Sequence, residues 1–438
     1  MRRAAAGCKH HLTMVIQATT RDRDLIYSPS NLAQRPDGTV RFGGRVLRWE
    51  PPLVWIHDAF ATLGATLQTE GANVAVGSPE PAPGPGDLVT LEGRLEDDRL
   101  ADARLVTVHH RLGQTPARET QRLRERGIAE NLRRRSAIIA TLRHFFEERA
   151  YLEVETPALV PSPGLDLHLQ AFEVHDESRD QPAYLVTSPE YQMKRLLSGG
   201  LPRIFQLTHC FRQGEQGHRH NPEFTMVEWY CAFGTVSAMM TETEQLVRHL
   251  LDHHLVAAVV TSEGRPIDWA APFERLALTA AFERFAQLPP NETLRLACND
   301  EDRFFQLLIE QVEPGLARLG RPVFLHDFPA PMASLARLKT SQPEVCERFE
   351  LYVGDLELCN GFGELTDPVE QRQRFDTDQA RRAEAGKPIY PKDERFLAAL
   401  AEGMPPTAGN ALGLDRLVAL CLGTDDIADA QSFPAGWL

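Results

Sequence analysis

Three segments carry residue types suited to handling a triphosphate. Residues 211–230, FRQGEQGHRHNPEFTMVEWY, place Arg212 at the end of one apolar run, ahead of a polar loop and a second, aromatic-rich run. A guanidinium stays charged at any working pH, and its planar fork matches phosphate oxygens bidentately. A surface hairpin without a ligand would look the same. In LELCNGFGEL, residues 356–365, Glu357 and Glu364 stand seven apart around an Asn-Gly turn. Mg2+ takes oxygen ligands, commonly one or two carboxylates together with phosphate oxygens, although a solvated pair of glutamates is the plainer alternative. In AGNALGLDRLVALCL, residues 408–422, small residues lead into an amphipathic helix with Arg416 in its first turn. Gly413 there would admit a nucleotide close to the backbone, and the helix N-terminus favours phosphate. Tight packing alone would also account for that glycine.

These segments need a scaffold, and 438 residues are enough for two or three units. Residues 1–35 show little periodicity and read as a loosely structured lead-in. From Val40 to His110 come short strand-like runs: VRFGGRVLRW, LVWIHDAFATLGATLQT, ANVAVG, DLVTLEGRLE and ARLVTVHH, interrupted by the loop PEPAPGPGD. They predict a small all-β, OB-like barrel over 36–112. Residues 113–130 form a basic linker. Between Arg111 and Ser136 eight arginines face three glutamates, a net of +5, which suits a solvated helix face or an acceptor-binding patch. From 131 to 438 helices and strands are mixed. Ile138, Ile139, Leu142, Phe145 and Phe146 have helical spacing, and the apolar runs RIFQLTHCF, FTMVEWYCAF and RFELYVGDLELCNGF suit strands. This predicts an α+β domain with a largely antiparallel sheet flanked by helices, closed by a helix over GNALGLDRLVALCL.

Composition narrows the class. At 42% hydrophobic and 25% charged, with no apolar run long enough to span a bilayer, the chain reads as soluble and independent of membranes. No secretory signal is expected at the N-terminus. Seven scattered cysteines without a Cys-x-x-Cys pair suit neither a disulfide framework nor a zinc site, and point to the cytoplasm. The net charge of −14 opposes a polyanionic partner unless a local basic patch overrides it.

The order and separation of the three segments resemble the signature motifs of the class II aminoacyl-tRNA synthetases. FFEERAYLEVETPALVPSPG at 145–164, with Pro157 at a helix-to-strand turn, resembles the motif that forms the dimer interface in that class, which implies a homodimer. Over about 130–438 the likeness is greatest to the lysyl-tRNA synthetases and their shorter relatives, the elongation factor P lysyltransferases. HNPEFTM suits both. TSPEYQMKRLL at 187–197, LELCNGF and Ala411 are more similar to the protein-modifying branch, the alanine replacing a glycine usual in the tRNA enzymes. In the family that methyl accompanies preference for (R)-β-lysine over α-lysine, and one methyl can supply roughly 1–3 kcal/mol of discrimination.

The resemblance implies ATP and Mg2+ as cofactors, with Arg212 on the α-phosphate, Arg416 on the γ-phosphate and Asn221 on the nucleotide. Gln213, Gly214, Glu215, Leu358 and Gly413 complete the implied ATP site, and Glu357 and Glu364 the metal site. Ser188, Pro189, Glu190, Glu228, Tyr230, Glu364 and Ala411 are implied around the amino acid, lysine or (R)-β-lysine, which is then transferred to a lysine of elongation factor P. Without a cationic ligand those buried carboxylates should have raised pKa values. A lysyl-tRNA synthetase acting on tRNA(Lys), or a regulatory paralogue without catalysis, are the alternatives.

Two features depart from the pattern. The family's acidic residue two positions after the motif arginine is Gly214 here, and Glu215 next to it is expected to compensate. The β unit is foreign to the typical lysyltransferase, whereas the tRNA enzyme carries an anticodon-binding OB barrel at this place. Against that role, Val40–His110 has only Phe42, Trp49, Trp55 and Phe60 as aromatics, and no clear basic stripe.

Overall fold

A computed structural model describes residues 25–34, 38–68, 81–175, 181–255 and 266–437. The chain divides into two compact units, residues 1–130 and 131–438.

In the first unit, five strands form a closed barrel: Thr39–Glu50, Leu53–His57, Thr62–Leu67, Leu88–Glu96 and Arg99–His110. The first pairs with both the second and the fourth, and the third runs parallel to the fifth, which closes the sheet on itself. Alternation supplies the interior, where Val40, Phe42, Val54, Ile56, Leu63, Val89, Leu91 and Leu100 are buried together. The run LVWIHDAFATLGATLQT is a hairpin rather than one strand. Asp58 turns it by accepting hydrogen bonds from the backbone N–H of Phe60 and Ala61, both at 2.8 Å. Most of the lead-in and the whole run ANVAVG lie outside the described residues; within the former, Ile26–Tyr27 pairs parallel to the first barrel strand.

The second unit is α+β. Its main sheet has nine strands, and the six central ones, Val323–Pro329, Gln342–Val353, Leu356–Gly363, Thr407–Gly413, Glu223–Ala232 and Arg203–Phe211, pair antiparallel in that spatial order. Parallel partners, Glu274–Ala277 and Leu152–Glu153, flank the two ends. The helix Ile128–Glu147 buries Ile138, Leu142, Phe145 and Phe146 against Phe205, Val227 and Trp229 of the sheet. Its apolar positions recur at the helical period, so one stripe faces the core.

The expected closing helix is shorter than the sequence pattern suggested. Residues Thr407–Gly413 are a strand, and the helix occupies Leu414–Leu422. The small residues serve close sheet packing. A Cβ on Gly409 would sit 2.3 Å from a ring carbon of Tyr230 and 2.5 Å from Glu364 Oε1. Only glycine fits there.

Candidate active site

The central strands and the helices beside them enclose a cavity of about 570 Å3. Its wall includes Ser188, Glu190, Arg212, Glu215, Asn221, Glu228, Glu357, Leu358, Ala411, Gly413 and Arg416. These residues come from four separated stretches, brought together because the strands that carry them are neighbours in the sheet.

At one end of the cavity are the cations. Arg212 follows the strand Arg203–Phe211 and lies over the Phe224 ring, 5.0 Å from its centroid. Its Nε is buried with no hydrogen-bond partner, a cost that an anionic ligand would relieve. Gly214 has φ +86°, a left-handed turn that suits glycine, and the next residue, Glu215, reaches back to within 3.8 Å of Arg212. Gln213 and Gly214 form this turn, while Glu215 lines the cavity. Arg416, in the first turn of its helix, donates to the carbonyl of Glu357 at 2.6 Å and to His220 Nε2 at 2.7 Å. Burial, and then Arg416 itself, lower the His220 pKa, in keeping with a ring nitrogen that accepts from a guanidinium. Asn221, expected on the nucleotide, lines the cavity. Its amide donates to the Glu223 carbonyl at 2.6 Å and accepts from the Ala435 N–H at 2.9 Å, which fixes the side chain and leaves one N–H and one lone pair over.

The expected metal pair is divided. Glu357 lies beside Arg416, with an oxygen 3.9 Å from Nη1, and its pKa is raised by enclosure in the cavity wall and by the nearby Glu350. Glu350 accepts from Arg348 at 2.6 Å and from the Tyr352 hydroxyl at 2.8 Å. Burial and the same two glutamates raise Glu313 to about 7. Among the described residues no group of three or more His, Cys, Asp or Glu is arranged as a metal cage. An excess of carboxylate at Glu357 and Glu350 nevertheless suits Mg2+, which needs few protein ligands when phosphates supply the rest. Glu364, by contrast, belongs to the other end.

That other end is acidic. Glu228 is almost fully buried, accepting from Ser188 at 2.5 Å and from Tyr230 at 2.9 Å, and burial with the nearby Glu190 pushes it up to about 7. Pro189 stands at the N-cap position of the helix Glu190–Ser198, whose first residue, Glu190, lines the cavity. Ala411 is the direct cross-strand partner of Glu228, so its methyl group sits beside that carboxylate on the same face. Glu364 is buried behind the wall. Its Oε2 lies 2.5 Å from Lys194 Nζ, and the same ammonium lies 2.5 Å from Glu190 Oε1.

Lys194 and the Arg348–Glu350–Tyr352 group are the residues that sequence reasoning missed. Lys194 stands one helical turn after Glu190, and that i,i+4 spacing is the signal it offered.

One arginine just after a strand of the antiparallel sheet and another in the first turn of the helix that follows a second strand, with a glutamate on the neighbouring strand and a buried acidic cluster alongside, suit a class II adenylate-forming catalytic domain. Residues 116–436 match the family of class II tRNA synthetases (D, K and N). The chain belongs to that family, which bears out the α+β class II fold. It is similar to the elongation factor P–(R)-beta-lysine ligases of Salmonella paratyphi B and Salmonella schwarzengrund, each 41% identical over 324 residues, covering 69% of this chain and 94% of the relative.

Proposed function

We propose that the protein uses ATP to activate (R)-β-lysine or lysine as an aminoacyl-adenylate and transfers it to a lysine side chain of elongation factor P. The observation that carries this reading is the buried Glu228, held by Ser188 and Tyr230 with Ala411 opposite, in one cavity with Arg212 and Arg416. Buried carboxylates of this kind need cations to offset their desolvation, and a diamino acid brings two.

In the first step an oxygen of the amino-acid carboxylate attacks the α-phosphorus, the bond to the β-phosphate breaks, and pyrophosphate leaves. Arg212 stabilises charge on the α-phosphate, and Arg416 leaves its backbone partners for the γ-phosphate. Mg2+, when bound, would neutralise phosphate oxygens at Glu357, with Glu350 behind it. In the second step the neutral amine of the acceptor attacks the activated carbonyl, the bond to AMP breaks, an amide forms, and the amine gives up a proton.

A protein acceptor is favoured over tRNA by the charges of the barrel. Arg41 and Arg104 share Glu92, Arg48 pairs with Glu50 and Arg94 with Asp102, so three carboxylates offset most of the charge of these four guanidiniums. Polyanion binding would need free cations. Exposed Leu152 and Leu159 lie in the 145–164 segment and support homodimerisation through it.

The test is a transfer assay with ATP and Mg2+ in which elongation factor P and bulk tRNA compete for the activated amino acid. Mass gained by elongation factor P alone is the expected outcome. Charged tRNA would overturn the acceptor assignment, and absence of pyrophosphate release would overturn the activity.

A further inference from the structure

The fully buried Lys194 has no place in the chemistry described so far. Its Nζ sits between two carboxylates, 2.5 Å from Glu190 Oε1 and 2.5 Å from Glu364 Oε2, and it is wholly inaccessible to solvent. Glu228 is the third carboxylate of the same cluster: the charge of Glu190 acts on it, and its own charge acts on Glu364. Three carboxylates thus face one ammonium. With all four groups ionised the cluster carries a charge of −2, in a place where isolated charge is expensive.

We propose that Lys194 is a positioning residue that acts as a resident ammonium: it neutralises one carboxylate of the amino-acid pocket and so makes the pocket select ligands that bring two ammonium groups. This inference rests on the diamino-acid reading proposed for the same pocket. One oxygen each of Glu190 and Glu364 is engaged by Lys194; Glu190 and Glu228 line the cavity and can meet the ligand, while Glu364 stands behind them. A ligand with a single ammonium leaves one carboxylate buried and unpaired, whereas a diamino acid balances the cluster. Without Lys194, Glu190 and Glu364 lose the cation that holds them close together and repel one another, so the pocket loses its shape for the ligand.

A bland alternative is that Lys194 only fastens the helix Glu190–Ser198 to the sheet. Amino-acid-dependent ATP–pyrophosphate exchange on the full chain separates the two. Wild-type enzyme should favour lysine over 6-hydroxynorleucine, in which a hydroxyl replaces the side-chain ammonium, by roughly 100-fold or more in kcat/KM. Lys194→Met keeps the buried stem and removes the charge. It should raise KM for (R)-β-lysine or lysine at least about tenfold, with kcat within about threefold. Lys194→Ala should show a similar defect, relieved by added propylammonium but not by propanol of nearly the same shape. If Lys194→Met leaves KM unchanged, or if propanol rescues Lys194→Ala as well as propylammonium does, the resident-ammonium role is wrong. Should Lys194→Ala fail to fold, the KM measured for Lys194→Met decides alone. A wild-type enzyme that activates no diamino acid would instead remove the proposed function on which this inference stands.

Discussion

Arg135 and Asp415, 280 residues apart, meet at 2.5 Å in a nearly enclosed ion pair. Arg135 also donates to Thr225 Oγ1 at 2.9 Å, and Asp415 accepts from the Thr225 N–H at 2.9 Å and from Gln431 at 3.1 Å. Asp415 directly precedes Arg416, and Thr225 directly follows the Phe224 ring on which Arg212 lies. One buried pair therefore ties the segments of both cavity arginines, Arg212 and Arg416, to the long helix. Removing one partner of such a pair strands the other charge and costs about 3–5 kcal/mol. Arg135→Met and Asp415→Asn should each lower the denaturation free energy by that order, measured by urea unfolding. Exchange activity should fall even where the fold survives.

Arg212 and Arg416 should be separable from folding. Arg212 has an unpartnered Nε, and Arg416 rests on a backbone carbonyl and His220. Substituting either by alanine should reduce kcat for pyrophosphate exchange by roughly 10²–10³-fold, the loss typical of a preorganised transition-state donor. The melting temperature should change little. A variant that loses stability but retains kcat would show a structural role instead.

Glu228 sets a pH dependence with a definite sign. Its folded-state pKa is raised from the ordinary 4.5 to about 7, chiefly by burial, so the free protein holds a proton that the unfolded chain has already released over that interval. The unliganded fold should therefore lose stability as pH rises from about 4.5 to about 7. Only the carboxylate form attracts an ammonium group, so KM for the diamino acid should fall as pH rises towards about 7, by up to about tenfold per unit. Thermal melts with and without lysine, together with KM profiles for wild type and Glu228→Gln, test both statements. A flat wild-type profile would contradict them.

The methyl group of Ala411 stands opposite Glu228 across the sheet. Ala411→Gly should shift the preference between (R)-β-lysine and lysine by about 1–3 kcal/mol in favour of lysine, read as a ratio of kcat/KM values. An unchanged ratio would move the source of discrimination elsewhere.

Much of this protein was legible in residue order alone. Alternation marked the barrel strands, helical spacing marked Ile138, Leu142, Phe145 and Phe146, and the three motif segments marked the cavity wall, because each pattern depends on neighbours a few positions away. At the Gly214 departure the turn brings the adjacent Glu215 to within 3.8 Å of Arg212. What failed was local reading where partners are distant. AGNALG read as the approach to a helix, but its small residues answer to Tyr230 and Glu364 on other strands. The support of Asn221 was equally out of reach, since its amide oxygen accepts from Ala435, 214 residues away.

The residue types suited to ATP and a cationic amino acid were thus determined by the sequence itself. Only the tertiary structure decided which of them share charge. Lys194 looks like one half of an ordinary surface i,i+4 pair until the sheet closes over it and sets Glu364 against its ammonium. Arg135 looks like one arginine in a basic run until Asp415 arrives from the other end of the domain. Burial turns a weak, solvated attraction into a strong constraint, and burial is a property of the packed chain.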